Sequence, residues 1–201
     1  MLKCWTILIA GLSLSLPWTN DAATVKPPEW FRAHLEYMTA GDGTWVADNS
    51  AYKNPNEPAD AYEITFVWGA GKQSVQGSMR AVTGDKRSDL IWDFRAFWNP
   101  GTKKAMLQQW SSWGSYGEGE TTSENATKLR TEQLFLGPDG SSLQSAHDWI
   151  IDGPFQHTTK TFSFEDGAWK ARRSYIWKRA DPEKSTKTGE SPSDKPVKKD
   201  R

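Results

Sequence analysis

The chain has 201 residues, and its 25 lysines and arginines are matched by 25 aspartates and glutamates, so the formal net charge is zero. That balance removes any field drawing the protein to nucleic acid or an anionic membrane, and the length fits one domain with a leader and a tail. Twelve tryptophans beside a single cysteine, Cys4, call for a core held by aromatic packing, with no disulfide or thiolate metal site.

Residues 1–23 read as an export signal: Lys3 supplies the positive start, Cys4 to Leu16 form an apolar run too short to cross a ~30 Å hydrocarbon core, and Pro17 breaks it. Cleavage near Ala22 or Ala23 leaves a mature chain without a thiol, periplasmic or secreted, and free of the membrane; an uncleaved anchor is the alternative. Residues 24–42 hold a short helix, which Pro27, Pro28 and Glu29 open and Gly41 and Gly43 stop. Its apolar residues Trp30, Phe31, Leu35 and Met38 recur at helical spacing, so one side should cover a hydrophobic surface such as a barrel end.

Residues 43–179 change to about ten short aromatic and β-branched segments with turn chemistry every ten or so positions. Tyr62, Ile64, Phe66 and Trp68 alternate with Glu63, Thr65 and Val67, and later strands centre on Val75 to Val82, Leu90 to Trp98, Lys103 to Trp110, Trp113 to Glu120, Leu129 to Leu136, Leu143 to Ile151 and Trp169 to Trp177. Turns fall at Gly69-Ala-Gly-Lys72, Gly84-Asp-Lys-Arg87, Asn99-Pro-Gly101, Pro138-Asp-Gly140 and Glu165-Asp-Gly167. Connections this short pair each strand with its sequence neighbour, and closing the sheet hides its edges. The expected fold is all-β, a single antiparallel up-and-down β-barrel of about ten strands with a short N-terminal helix; a two-sheet jelly roll is the alternative. Residues 180–201 are rich in Lys, Glu, Ser, Asp and Pro and should form no part of a core.

Gly43-Thr44-Trp45, after the helix and at the start of the first strand, resembles the Gly-x-Trp signature of the calycin superfamily of lipocalin-like barrels. The resemblance implies an arginine from the last strand packed across Trp45 as a cation–π latch, and Arg172, Arg173 and Arg179 are the candidates, Arg172 foremost. Trp98-Asn-Pro-Gly-Thr-Lys-Lys104, Gly117-Glu-Gly119 and Asp166-Gly-Ala-Trp169 resemble exported bacterial barrels of unknown function grouped with nitrobindin-like proteins, over roughly residues 30–178. The haem-binding members carry Gly-x-Trp-x-Gly-x-Gly; here Trp45 is followed by Val46-Ala47-Asp48, which speaks against haem, and no cofactor is expected.

Alternation assigns the interior. Leu90, Trp92, Phe94 and Ala96 share one face; so do Leu143, Ser145, His147, Trp149 and Ile151; so do Leu129, Thr131, Gln133 and Phe135; so do Trp169, Ala171, Arg173, Tyr175 and Trp177. Which faces of the Lys103 to Glu120 strands point inward stays open. A buried Arg or His needs a partner, so Gln133, His147 and Arg173 are expected to meet a small, largely apolar ligand with an anionic or carbonyl group, against Trp92, Phe94, Trp149 and Tyr175. Gly117 and Gly119 leave room for a cross-strand ring or for the ligand. The three histidines lack i, i+4 spacing, so no metal site is expected, and there is no nucleophile elbow, phosphate loop or dinucleotide fingerprint. Two rivals remain: an isomerase, cyclase or hydratase using His147 as acid or base and Arg173 as anion holder, and a carbohydrate-binding module using Trp98, Trp110 and Trp113.

Overall fold

The computed structural model describes residues 26–180. The signal reading of residues 1–23 with Cys4, and the tail from residue 181 onward, lie outside the described residues. No helix of the described residues is long and apolar enough to cross a membrane.

The helix α1 (Glu29–Met38) buries Phe31, His34, Leu35 and Met38, three of them from the expected apolar side. Ten strands follow: β1 (Thr44–Asp48), β2 (Ala61–Trp68), β3 (Ser74–Thr83), β4 (Lys86–Asn99), β5 (Lys104–Ser111), β6 (Tyr116–Asn125), β7 (Lys128–Leu136), β8 (Ser142–Gly153), β9 (Gln156–Glu165) and β10 (Ala168–Arg179). Each pairs antiparallel with its sequence neighbours and β1 pairs with β10, so the sheet closes as an up-and-down barrel with no free edge. The turn after β2 is a single 3₁₀ turn, Ala70–Lys72.

The helix seals the end where the sheet closes. Trp45 is fully buried, and its indole N–H donates to the Met38 carbonyl at 2.9 Å. Gly43 is required there: its φ is +73°, and a Cβ would stand 2.1 Å from the Phe66 carbonyl oxygen. Arg179, the register partner of Trp45, lays its guanidinium 4.9 Å from the indole centre. The cation–π latch therefore exists, with Arg179 in the place expected of Arg172.

Two bulges change the expected faces. In β10 the register slips between Ala171 and Ser174, so Trp169 pairs with Phe164 and Ala171 with Phe162. Directly opposed residues share a face, and Phe162 and Trp169 both stack on the outer guanidinium of Arg130. Trp169 and Ala171 are thus outside, while Arg173, Tyr175 and Trp177 remain inside. The same slip leaves Arg172 near the β9–β10 turn, donating to Ser163 at 2.6 Å and to Glu165. In β4 the slip opposite Met79 and Arg80 turns Leu90 outward beside Arg80, whereas Trp92, Phe94 and Ala96 face in as expected.

Candidate functional site

A cavity of about 540 Å³ occupies the barrel from the helix plug to the opposite mouth. Its volume lies within the ~300–1,000 Å³ range usual for small-molecule sites. Its floor is Phe31, His34, Met38, Trp149 and Trp177, and its mouth is formed by Trp113, Ser115, Gly137, Ser141 and Leu143.

Glycines keep the lumen open in an aromatic interior. A Cβ on Gly77 would meet the Phe66 ring at 2.6 Å and the Phe94 ring at 3.2 Å; one on Gly117 would meet the Phe135 ring at 2.4 Å. The missing side chains let these phenyl rings lie down on the neighbouring strand and turn toward the wall instead of the axis. The ring over Gly117 is Phe135 from the adjacent strand. Gly119 serves a tighter purpose, since a Cβ there would collide with the Glu132 carbonyl oxygen.

The walls differ in chemistry. β2 to β4 contribute Ile64, Phe66, Val75, Met79, Trp92, Phe94 and Ala96. Across the lumen, β5 to β9 contribute Gln109, Thr121, Thr131, Ser145, His147, Thr159 and Thr161, interleaved with Leu107, Phe135, Leu143 and Trp149. The unassigned faces of β5 and β6 resolve to Leu107, Gln109 and Thr121 inward, with Trp110 and Glu118 outward.

Most of this polar wall is satisfied by itself. The hydroxyls of Thr121 and Thr131 share a 2.8 Å hydrogen bond, Ser145 donates to the Phe162 carbonyl, and Thr159 accepts the Trp177 indole N–H at 2.9 Å. Gln109 donates to Gln133 at 2.6 Å, and Gln133 donates on to the Leu107 carbonyl. Gln133 is buried but does not line the cavity: it stands behind Gln109 and fixes it. Six of the seven residues expected at the ligand, Trp92, Phe94, His147, Trp149, Arg173 and Tyr175, do line the cavity.

Arg173 is not free to meet an anion. The segment between β1 and β2 brings Glu57 against it in a bidentate pair at 2.5 and 2.6 Å, and the Tyr175 hydroxyl and the face of Tyr52 complete the guanidinium. Tyr62 also donates to Glu57, and Tyr175 donates to Asn49. The Arg173 guanidinium holds the Glu57 carboxyl below its usual range. Sequence periodicity could not reveal Glu57, because Asn54-Pro-Asn-Glu57-Pro belongs to no strand.

The histidines behave differently. His147 faces the cavity between its register partners Thr131 and Thr161, and its Nδ1 is buried with no hydrogen-bond partner among the described residues. Burial pushes it down to about 4, so the imidazole is neutral at physiological pH. His34 reaches the floor from α1, edge-on to Trp149 at 5.4 Å, and burial lowers it to about 4 as well. His157 lies stacked between Trp149 (5.1 Å) and Trp177 (6.2 Å), lowered to about 3 by burial and by nearby His34. His34 and His157, far apart in sequence, thus meet at Trp149. Among the described residues no group of three His, Cys, Asp or Glu side chains is placed to hold a metal ion.

Trp98, Trp110 and Trp113 do not form one platform. Trp113 stands at the mouth, edge-on to Trp92 at 4.9 Å; Trp110 lies outside against Tyr116; Trp98 packs against the core cluster near the helix end. Fold and site together define an up-and-down β-barrel with an internal, mouth-accessible cavity of ligand size. No protein-family model matches the chain, and no curated protein matches it either.

Proposed function

We propose that this chain is an exported, lipocalin-like barrel that binds a small, largely apolar molecule in its central cavity. One observation carries the reading: a 201-residue chain with twelve tryptophans could have filled its core with indole, yet the barrel keeps about 540 Å³ free behind an open mouth. The apolar β2–β4 wall supports the apolar body, and the polar wall opposite supports an oxygen function on the ligand. Of the two polar groups expected, the anionic one is disfavoured because Glu57 already occupies Arg173, which leaves an uncharged oxygen group as the better fit. Export rests on Lys3 and the apolar run Cys4 to Leu16.

The enzyme reading draws less support. A histidine base is usually oriented by a second group, and Nδ1 of His147 has no partner among the described residues to fix it. Native mass spectrometry of the protein purified from its own compartment tests the proposal. A stoichiometric organic mass that is lost in His147→Leu is the expected result, and a barrel that neither carries nor takes up any small molecule would refute it.

A further inference from the structure

The lining narrows what the cavity can hold. Its charged side chain among the described residues is Arg173, whose guanidinium is paired with Glu57, so an ionised ligand would enter without a counter-charge. The hydroxyls of Thr121, Thr131 and Thr161 are already engaged with one another or with backbone, Thr161 through the N–H and carbonyl of Arg173. Two lining residues keep a buried ring nitrogen without a partner among the described residues, His34 at the floor and His147 on the wall, and His147, on β8, is the one across the ten-strand barrel from β3. Its imidazole lies out of bulk water, faces the lumen, and has a buried nitrogen without a partner among the described residues.

A neutral imidazole carries one donor and one acceptor nitrogen, and a hydroxyl group can pair with either, whichever tautomer is present. Opposite His147 the phenyl rings of Phe66 and Phe94 lie down over Gly77, leaving a wall low enough for a flat ring to enter. Aromatic rings gain from offset or edge contacts with such a wall beyond what area alone gives.

From this we infer that the ligand is an uncharged aromatic alcohol, its ring against the β2–β4 wall and its hydroxyl on His147; the inference rests on the reading of the barrel as a binding protein. Calorimetric titration of the full chain with three probes of one shape tests it: 2-naphthol, 2-methylnaphthalene and 2-naphthoate at neutral pH. Naphthol should bind about tenfold tighter than methylnaphthalene, the gain from one hydrogen bond in a desolvated site, and naphthoate should bind weakest. His147→Phe should bring naphthol down to the affinity that the same variant has for methylnaphthalene.

Equal affinity for naphthol and methylnaphthalene in the unaltered protein, or tightest binding of naphthoate, would overturn the inference while leaving a binding barrel. Failure of all three probes to bind would overturn the inference, while the native mass spectrum of the purified protein would still decide the binding reading. If His147→Phe does not fold, the imidazole nitrogen resonances of His147 decide: naphthol should shift them, and an equal shift with methylnaphthalene would overturn the assignment.

Discussion

The two ends of the barrel are built from the same kinds of residue to opposite effect. At the helix end Trp45, Phe31 and His157 are 0%, 1% and 1% exposed, and indole, imidazole and guanidinium stack without a gap. At the mouth Trp113 and Leu143 are 55% and 47% exposed, and part of the rim is an ion pair, Glu57 with Arg173. Aromatics packed on every side add stability; aromatics held apart by glycines and a charged strap leave space. The barrel therefore separates a packed end from an open end, and the separation can be tested by perturbing each in turn.

The largest effect should come from Trp45→Ala. It removes a fully buried indole, its hydrogen bond to Met38 and the seat of Arg179, and should cost about 3–5 kcal/mol in urea unfolding. A loss under about 1 kcal/mol would mean that the plug does not hold the barrel closed.

Acid should act next, chiefly at the same end, with His147 on the cavity wall adding to it because burial lowers it to about 4 as well. His34 and His157 have an ordinary value of 6.5 and are lowered by burial to about 4 and about 3 in the folded state. Below pH 6.5 the unfolded chain binds protons that the folded chain refuses, so stability is full above that value and falls as pH drops toward 4. The urea midpoint should drop between pH 7 and pH 5, and His157→Phe, if it folds, should flatten the slope. A midpoint that rises on acidification would show that the imidazoles are not desolvated as the packing requires.

The smallest stability effect is expected at the mouth. Glu57→Gln breaks a partly exposed pair and should cost no more than about 1 kcal/mol. Its effect on binding should be larger than on stability, because the freed Arg173 guanidinium would face the cavity and 2-naphthoate should gain affinity. Unchanged naphthoate binding would place Arg173 outside the binding space.

Much of this architecture is legible in the sequence. Alternation within each strand sorts inside from outside at Ile64 and Phe66, at Trp92 and Phe94, and at His147 and Trp149, because side chains on a strand repeat every two residues whatever the strand pairs with. Short turns dictate neighbour pairing, and Gly43 with Trp45 marks where the barrel closes. The same rule fails at Trp169, Ala171 and Leu90, where one extra residue in a bulge reverses the phase, and a bulge is a property of two strands in register.

What only the tertiary structure decided lies in contacts between distant segments. Glu57 meets Arg173 across 116 residues, α1 carries His34 to the ring system of Trp149 and His157, and Arg179 takes the place over Trp45 for which Arg172 was the foremost candidate. Local periodicity reports the direction of a side chain, but whether its charge is answered or its ring leaves space depends on which distant residue arrives opposite, and that is settled when the barrel closes.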